Sequence, residues 1–383
     1  MNNKPPKNWN RVTLGEILDY ERPDKYIVSS EEYNDSYKTP VLTAGKTFIL
    51  GYTDENDGIY ENIPVIIFDD FTTESKYVDF NFKVKSSAMK ILKAKNNTTL
   101  KYLYYLMQTI PFNHETHKRY WISEYSKLKI DIPEKIEEQQ EIVQVLDTMS
   151  DIIRLREECI SHAQDLIPAL FQEMFGDANN NITKSTIVRF RDCIDLNPSK
   201  PNLDDNLNVT FLGMKDISEK GQVDLSTTKT YEEVKKGFTN FENEDVLLAK
   251  ITPCFENGKA AIVRNLLNGY GFGSTEFYVL RPHQNIILPE YVYAIIKSYT
   301  FAEPGKYKMT GAAGQKRLPK DYILNYKFPL PPLEAQEQFA EKVREINSYI
   351  EEQQEELENA KQMFQSLLHH AFTGELTRRA YGN

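Results

Sequence analysis

Two carboxylates and a lysine in the first half of the chain have the order of a divalent-metal nuclease centre. Asp57 precedes Glu74-Ser75-Lys76 across a β run, and such groups could hold magnesium and activate water. The corresponding stretch of the second half is Glu256-Asn257-Gly258-Lys259, which has one residue more between acid and lysine. The triad is therefore not repeated, although a nuclease remains one alternative.

Other chemical motifs are weaker. His114 and His117 have a spacing that metal ligands use, but no third ligand is near them in sequence. Asn197-Pro198-Ser199 shares only its first two residues with an amino-methyltransferase motif. The glycines from Gly269 to Gly273 lack the strand, loop and helix of a cofactor site. Surface histidines and a non-catalytic chain are the simpler interpretation.

Basic, aromatic segments occur twice, at the same place in each half. His114 to Pro133 carries Lys118 and Arg119 beside Tyr120 and Trp121. Lys306 to Tyr322 is glycine-rich, carries five basic residues and has no acid before Asp321. Such segments can place side chains and backbone N–H groups against phosphates. A solvated loop is the simplest alternative, but the recurrence favours nucleic-acid binding.

Two long amphipathic helices must position these segments. The patterns run from about Glu137 to Phe175 and from about Glu334 to Phe372, related by a shift of 197 residues. Apolar residues recur in steps of four and three, as in a coiled-coil seam. Arg156 and Gln353 are matching polar defects. The seam residues are Ile142, Leu146, Met149, Ile153, Ile160, Ala163, Ile167, Leu170 and Met174, then Phe339, Val343, Ile346, Ile350, Leu357, Ala360, Phe364, Leu367 and Ala371.

Each helix begins after a proline with an acidic, glutamine-rich first turn, Ile132 to Gln140 and Leu330 to Gln338. Pro168 lies inside the first pattern and predicts a kink or a break there. Its matching position, Gln365, has no such defect.

The repeat predicts an α+β fold with two mixed-sheet domains joined and separated by two long antiparallel coiled-coil helices, related by a pseudo-twofold axis. The predicted boundaries are 1–135 and 182–332 for the domains, with 136–181 and 333–383 for the helices and the C-terminal tail. The net charge of −10 divides over 1–135, 136–181, 182–332 and 333–383 as 0, −8, +3 and −5. The acidity belongs to the helices, so it does not argue against a nucleic-acid partner.

Three scattered cysteines fit neither a disulfide framework nor a zinc site, and no apolar run resembles a signal peptide or a membrane span. We expect a cytoplasmic protein.

Several stretches resemble, in order, the DNA specificity subunit of type I restriction-modification systems. They are DVLLAKITPCFENGKAAIV (Asp245 to Val263), GSTEFYVLRP (Gly273 to Pro282), GAAGQKRLPKDY leading into PLPPLEAQEQ, and HHAFTGELT (His369 to Thr377). The first domain is less similar to this family, since it contains PVIIFDDFTTESKYV but lacks the ITPC and ENGK motifs of the second domain.

The resemblance implies two target recognition domains, each reading one half of a split double-stranded DNA site, with the helices as a ruler. It also implies two methyltransferase subunits docked on the helices, S-adenosylmethionine bound in those subunits, and restriction subunits that join the complex. The chain itself would carry no cofactor, no metal and no catalysis. A coiled-coil scaffold that does not bind DNA is the remaining alternative.

We expect the DNA contacts to come from the basic segments, from the turns after the central β runs and, for Lys46, from a Gly-Lys turn between two short strands. Lysines are expected at phosphates, and Arg, Asn, Gln and Thr at base edges. The residues predicted in the first domain are Lys46, Thr72, Thr73, Ser75, Lys76, Lys118, Arg119 and Tyr120, and those in the second are Lys250, Thr252, Asn257, Lys259, Lys308, Thr310, Gln315, Lys316 and Arg317.

Overall fold

The computed structural model describes residues 6, 8–43, 45, 47–95, 98–111, 119–176, 186–312 and 314–376. The first half contains β1 (Trp9–Thr13), α1 (Leu14–Ile17), β2 (Leu18–Glu21), β3 (Thr39–Leu42), β4 (Ile49–Thr53), β5 (Val65–Asp69), β6 (Ser75–Val78), β7 (Lys83–Val84), β8 (Met89–Ala94), α2 (Leu100–Gln108), β9 (Lys129–Pro133) and α3 (Ile136–Phe175).

The second half repeats this order with insertions. It contains β10 (Thr186–Arg189), β11 (Ile194–Leu196), β12 (Asn208–Leu212), β13 (Thr228–Thr230), α4 (Tyr231–Val234), β14 (Thr239–Glu242), β15 (Val246–Ala249), β16 (Ala260–Ile262), β17 (Tyr270–Gly273), β18 (Phe277–Pro282), α5 (Pro289–Lys297), α6 (Tyr299–Lys308), α7 (Lys320–Asn325), β19 (Lys327–Leu330) and α8 (Leu333–Phe372).

Matching sheets form in the two halves. Antiparallel four-stranded sheets have the orders β2-β8-β5-β6 and β11-β18-β15-β16. Mixed sheets have the orders β4-β3-β7 and β13-β12-β17-β14, in which β3 pairs parallel with β7 and β12 with β17. Two-stranded sheets, β1-β9 and β10-β19, precede the long helices. The predicted α+β class with an internal repeat is confirmed.

Contacts divide the chain into two compact units. Unit 1 comprises Met1–Glu158 and Glu355–Asn383, and unit 2 comprises Cys159–Gln354. Each unit therefore contains one set of sheets and one half of each long helix. The helix bounds agree with the sequence pattern to within one residue at the start, whereas the units divide α3 and α8 rather than ending at them.

The helix halves pack antiparallel inside each unit. In unit 1, Ile142 and Leu146 share a core with Leu368 and Ala371, and Lys361 Nζ lies 2.9 Å from a Glu157 carboxylate oxygen. In unit 2, the rings of Phe171 and Phe339 lie 5.7 Å apart, and Cys159 Sγ lies 3.0 Å from the Tyr349 hydroxyl.

All of the predicted seam positions are buried or half-buried, and none is exposed. The polar defect at Arg156 forms an ion pair with Glu356. Of the two outcomes predicted for Pro168, the break is wrong, because α3 is continuous from Ile136 to Phe175, whereas the kink stays a prediction. Proline removes a single backbone donor there, while Ile167, Leu170 and Phe171 beside it pack on the core of unit 2.

A buried glutamine joins the sheets to the long helix in each unit. Gln139 accepts the Thr99 N–H at 2.9 Å and donates to the Pro133 carbonyl at 3.1 Å. Gln336 accepts the Leu288 N–H at 2.9 Å and donates to the Pro331 carbonyl at 2.9 Å. Thr99 and Leu288 precede α2 and α5. The two glutamines are 197 residues apart, so the same joint is built twice. Within the described residues, no helix is long and apolar enough to cross a bilayer.

Candidate nucleic-acid interface

The turn between β5 and β6 presents the first group of predicted contact residues. Asp69 Oδ1 accepts the N–H groups of Phe71 and Thr72 at 2.8 and 2.9 Å, which closes the turn locally. Thr72 is exposed, and Thr73 adopts a left-handed backbone with φ of 58°. The carboxylate therefore fixes a short turn after a strand whose first four residues are buried.

Two residues predicted to contact DNA lie in the interior of unit 1. The Ser75 hydroxyl is buried and accepts a hydrogen bond from the Gln108 amide at 2.8 Å. Tyr120 is only 2% exposed, so its side chain lies inside the unit. Direct contact with DNA does not fit either position, so we withdraw both from the predicted interface. Lys76 is half-buried beside Ser75 and Gln108, at a small pocket of about 390 Å³.

A buried ion pair holds the basic segment of unit 1 against this turn. Asp70 follows β5, and its Oδ1 accepts the Trp121 N–H at 2.8 Å while its carbonyl accepts the Tyr120 N–H at 2.9 Å. Lys90 Nζ lies 3.0 Å from Asp70 Oδ2, with both side chains at most 3% exposed. Arg119, exposed at the start of the segment, is thereby kept near the turn. Lys46 and Lys118 lie outside the described residues.

In unit 2, the connection between β15 and β16 carries the matching group. Lys250 Nζ lies 5.2 Å from the centre of the Tyr278 ring, and the Thr252 hydroxyl accepts the Lys316 N–H at 3.1 Å. The Asn257 amide donates to Glu219 at 2.7 Å, and Lys259 Nζ donates to the Met214 carbonyl at 2.9 Å. Asn257 and Lys259 thus face the loop after β12, whereas Lys250 and Thr252 face the basic segment.

The basic segment of unit 2 contains both a helix end and a turn. Lys306 and Lys308 form the last turn of α6, and Lys306 pairs with Glu303 in the same helix. Thr310, Gln315, Lys316 and Arg317 follow as an exposed turn. Its ends are tied by exchanged backbone bonds between Thr310 and Arg317, at 3.0 and 2.8 Å.

Arg317 forms an ion pair with Glu276 that the sequence did not indicate. Its Nε and Nη2 donate to the two Glu276 carboxylate oxygens at 2.9 and 2.8 Å. The guanidinium hydrogen bonds lower the pKa of Glu276 below its ordinary value, and Glu276 in turn raises the pKa of Arg317. Base reading by Arg317 therefore requires an exchange of partners.

Other residues that shape these surfaces carry little sequence signal. Lys297 Nζ donates to the carbonyls of Glu219 and Gly258 at 2.8 and 2.6 Å, which ties the loop after β12 to the β15–β16 connection, and burial lowers the pKa of Lys297. Lys297 and Glu276 are ordinary charges in sequence, and only their positions in the fold reveal the contacts. The repeated glutamines, by contrast, could have been found from the 197-residue shift.

The proposed nuclease centre is not assembled as a metal site. The Asp57 carbonyl accepts a hydrogen bond from Lys83, whereas Glu74 and Lys76 lie at the small pocket with Gln108. Among the residues that the structure describes, no three His, Cys, Asp or Glu side chains form a group that could hold a metal ion.

Comparisons with known proteins identify the family of the chain. The model of the type I restriction modification DNA specificity domain matches residues 6–162 and 194–359. The EcoR124I/EcoR124II specificity subunit of Escherichia coli is 55% identical over 148 residues, which are 36% of this chain and 37% of that protein. The EcoAI specificity subunit of Escherichia coli is 39% identical over 180 residues, 45% of this chain and 30% of that protein. The matched part therefore spans about a third of these curated relatives.

Solved structures share the fold over nearly the whole chain. The S subunit of a type I restriction-modification system from M. genitalium has a TM-score of 0.53 at 15% identity, covering 97% of each chain. A chain from a study of complex assembly in the type I R-M system has a TM-score of 0.55 at 16% identity, covering 97% of this chain and 100% of that one. The family model matches the chain twice, and the two matches together cover most of the chain. The chain therefore belongs to the type I restriction modification DNA specificity domain family.

Proposed function

We propose that the protein is the sequence-reading subunit of a type I restriction-modification complex and that it recognises a split DNA site, one half with each unit. The observation that carries this proposal is the repeat of the interface itself. In both units the connection after the central strand lies beside the segment that leads to the final two-stranded sheet. Two similar readers in one chain are suited to two separate half-sites.

The chemistry of the two surfaces suits duplex DNA. Lys308 and Lys316 are exposed in unit 2, and Arg119 and Thr72 in unit 1. Ammonium groups position the protein through phosphates, whereas Thr, Gln and Arg side chains can bond base edges in the major groove. Each lysine-to-alanine change at a phosphate should weaken binding evenly on all sequences and lower the salt slope by about 1.

Methyltransferase subunits are the proposed partners of the long helices, and restriction subunits would complete the assembly. In unit 1, the outer face of α3 leaves Val145, Ile152 and Leu155 between 38% and 55% exposed, with steps of seven and three residues. Such a stripe is suited to a partner helix. We expect S-adenosylmethionine and the methyl transfer to belong to the partners, and this chain to contribute recognition without catalysis.

Selection from a random DNA library, with the co-expressed methyltransferase and at a stated salt concentration, tests the proposal. The expected result is two short enriched blocks around an unread gap. One contiguous block would mean that only one unit reads DNA. No enrichment, with the partner demonstrably bound, would defeat the proposal in favour of a scaffold.

A further inference from the structure

The end of β5 carries two consecutive aspartates with separate tasks. Asp69 closes the exposed Phe71–Glu74 turn through hydrogen bonds to Phe71 and Thr72. Asp70 points inward, with 1% of its surface exposed, and bonds the backbone of the Tyr120–Trp121 segment. One dipeptide therefore sets the position of both connections that form the candidate reading surface of unit 1.

The bonds around Asp70 leave it little freedom. Its N–H donates to the Ala88 carbonyl at 3.0 Å, its carbonyl accepts from Tyr120, and its carboxylate is shared between the Trp121 N–H and Lys90. The Trp121 ring is 2% exposed and lies edge-on to Phe68, with centroids 5.2 Å apart. The backbone of Trp121 is thus held by the Asp70 carboxylate, and its side chain is held by packing against Phe68.

A buried ion pair needs a reason beyond stability. Replacing such a pair by apolar residues of similar volume is often neutral or stabilising. An apolar pair, however, cannot accept the Trp121 N–H. What the charges add at this site is the acceptor, and Lys90 is the cation that compensates it inside the protein.

We propose that Asp70, held in place by Lys90, is a positioning residue for DNA specificity: it fixes Arg119 and its neighbours beside the Phe71–Glu74 turn so that the two read one half-site together. The proposal rests on the proposed function. It does not place Asp70 in contact with DNA.

Two double variants isolate the acceptor. Asp70→Asn/Lys90→Met removes both charges but keeps a side-chain oxygen for the Trp121 N–H. Asp70→Leu/Lys90→Met removes both charges and the oxygen. Neither leaves a lone buried charge, so both avoid the penalty of breaking an ion pair. Unit 2 is unchanged in both and serves as the internal control.

The experiment is the selection from random DNA with the intact chain and its methyltransferase. The leucine variant is expected to lose roughly tenfold or more of its preference at one half-site, the scale of a lost base contact, and to keep the other half-site. The asparagine variant is expected to keep both half-sites. Both tryptophans, Trp9 and Trp121, lie in unit 1, so fluorescence reports whether that unit is folded.

If the leucine variant does not fold, Asp70→Ser/Lys90→Met replaces it, because the shorter side chain cannot span the distance to Trp121. Equal loss at both half-sites, or no loss in a folded variant, would overturn the positioning role. If the unmodified protein enriches no split motif, the proposed function fails instead, so the two failures are distinguishable.

Discussion

The two units share the chemistry that joins their sheets to a long helix but differ in the chemistry that holds their candidate reading segments. Gln139 and Gln336 each accept the N–H that precedes a short helix and donate to a proline carbonyl where the last strand ends. The segments themselves are held by a buried ion pair in unit 1 and by backbone exchange with an exposed ion pair in unit 2.

This difference follows from what each part has to do. The glutamine joint orients the sheets of each unit relative to the long helix that follows them. Because this orientation is needed in both units, the same contacts serve in both. The basic segments of the two units must present different side chains. The contacts that hold these segments can therefore differ between the units, as long as the topology is kept. The comparison predicts that the largest effects on stability come from the buried support of unit 1.

Lys90→Met is expected to have the largest effect. It leaves the Asp70 carboxylate buried without its cation, which costs about 3–5 kcal/mol of unfolding free energy. Tryptophan fluorescence in a urea titration follows unit 1 alone, because both tryptophans lie there.

The matched control is Lys93→Met in the same strand. Lys93 forms an ion pair with Glu21 at 2.8 Å, and each of the two side chains is 34% exposed. Ion pairs that are open to solvent contribute at most about 1 kcal/mol to stability. Equal losses for the two lysine variants would show that the Asp70–Lys90 pair is no stronger than a surface pair.

Leu318→Ala tests the support of unit 2. Leu318 is 1% exposed, its N–H donates to the Lys250 carbonyl at 2.8 Å, and its side chain belongs to the core of the unit. Truncation of such a leucine costs about 2–5 kcal/mol. Circular dichroism should show a transition moved to lower urea, while the tryptophan transition stays in place. A shift of the tryptophan signal by the same amount would mean that the units do not unfold separately.

The sequence predicted the parts of the fold that depend on periodicity. The seam of α3 and α8, the β run before Glu74 and the repeat all follow from patterns of apolar residues. The continuity of α3 through Pro168 could not be predicted, because it depends on tertiary packing of the residues around the proline rather than on propensity.

The candidate interface was predicted less well, for a physical reason. Tyr120 and Ser75 lie in basic or polar stretches, and the sequence cannot tell whether such a side chain points to the surface or into the core. Arg317 lies on the surface as expected, but its ion pair joins residues 41 positions apart. Asp70 directly follows β5 and Lys90 lies in β8, so their pairing depends on the register of these two strands.

Matched glutamine variants test the shared joint, with a smaller expected effect. Gln139→Leu and Gln336→Leu each remove an acceptor and a donor from backbone groups at the joint, which costs about 1–3 kcal/mol. Gln336→Leu also removes a bond to the Ile286 carbonyl at 3.2 Å, so its loss should be equal or somewhat larger. Each loss should be confined to the unit that carries the change, as seen by tryptophan fluorescence for Gln139 and circular dichroism for Gln336. A large loss for one and none for the other would break the equivalence of the two joints.

The smallest effect is expected from the exposed pair of unit 2. The pKa of Glu276 in the folded protein is lowered below its ordinary value of 4.5 by the hydrogen bonds from Arg317. A carboxylate with a depressed pKa stabilises the fold above pH 4.5, and that stabilisation disappears as the pH falls through the folded-state value.

Glu276→Gln should therefore lower the stability of unit 2 slightly at pH 7, and the difference from the unmodified protein should shrink as the pH falls below 4.5. Urea titrations of both proteins between pH 3 and pH 7 measure it, with Glu256→Gln as an exposed carboxylate control in the same unit. A difference that persists unchanged at low pH would show that the Glu276 charge is not what holds Arg317. Glu276→Gln also releases Arg317 from its ion pair in a protein that remains folded. An altered preference at one base position in this folded variant would assign the guanidinium to the DNA.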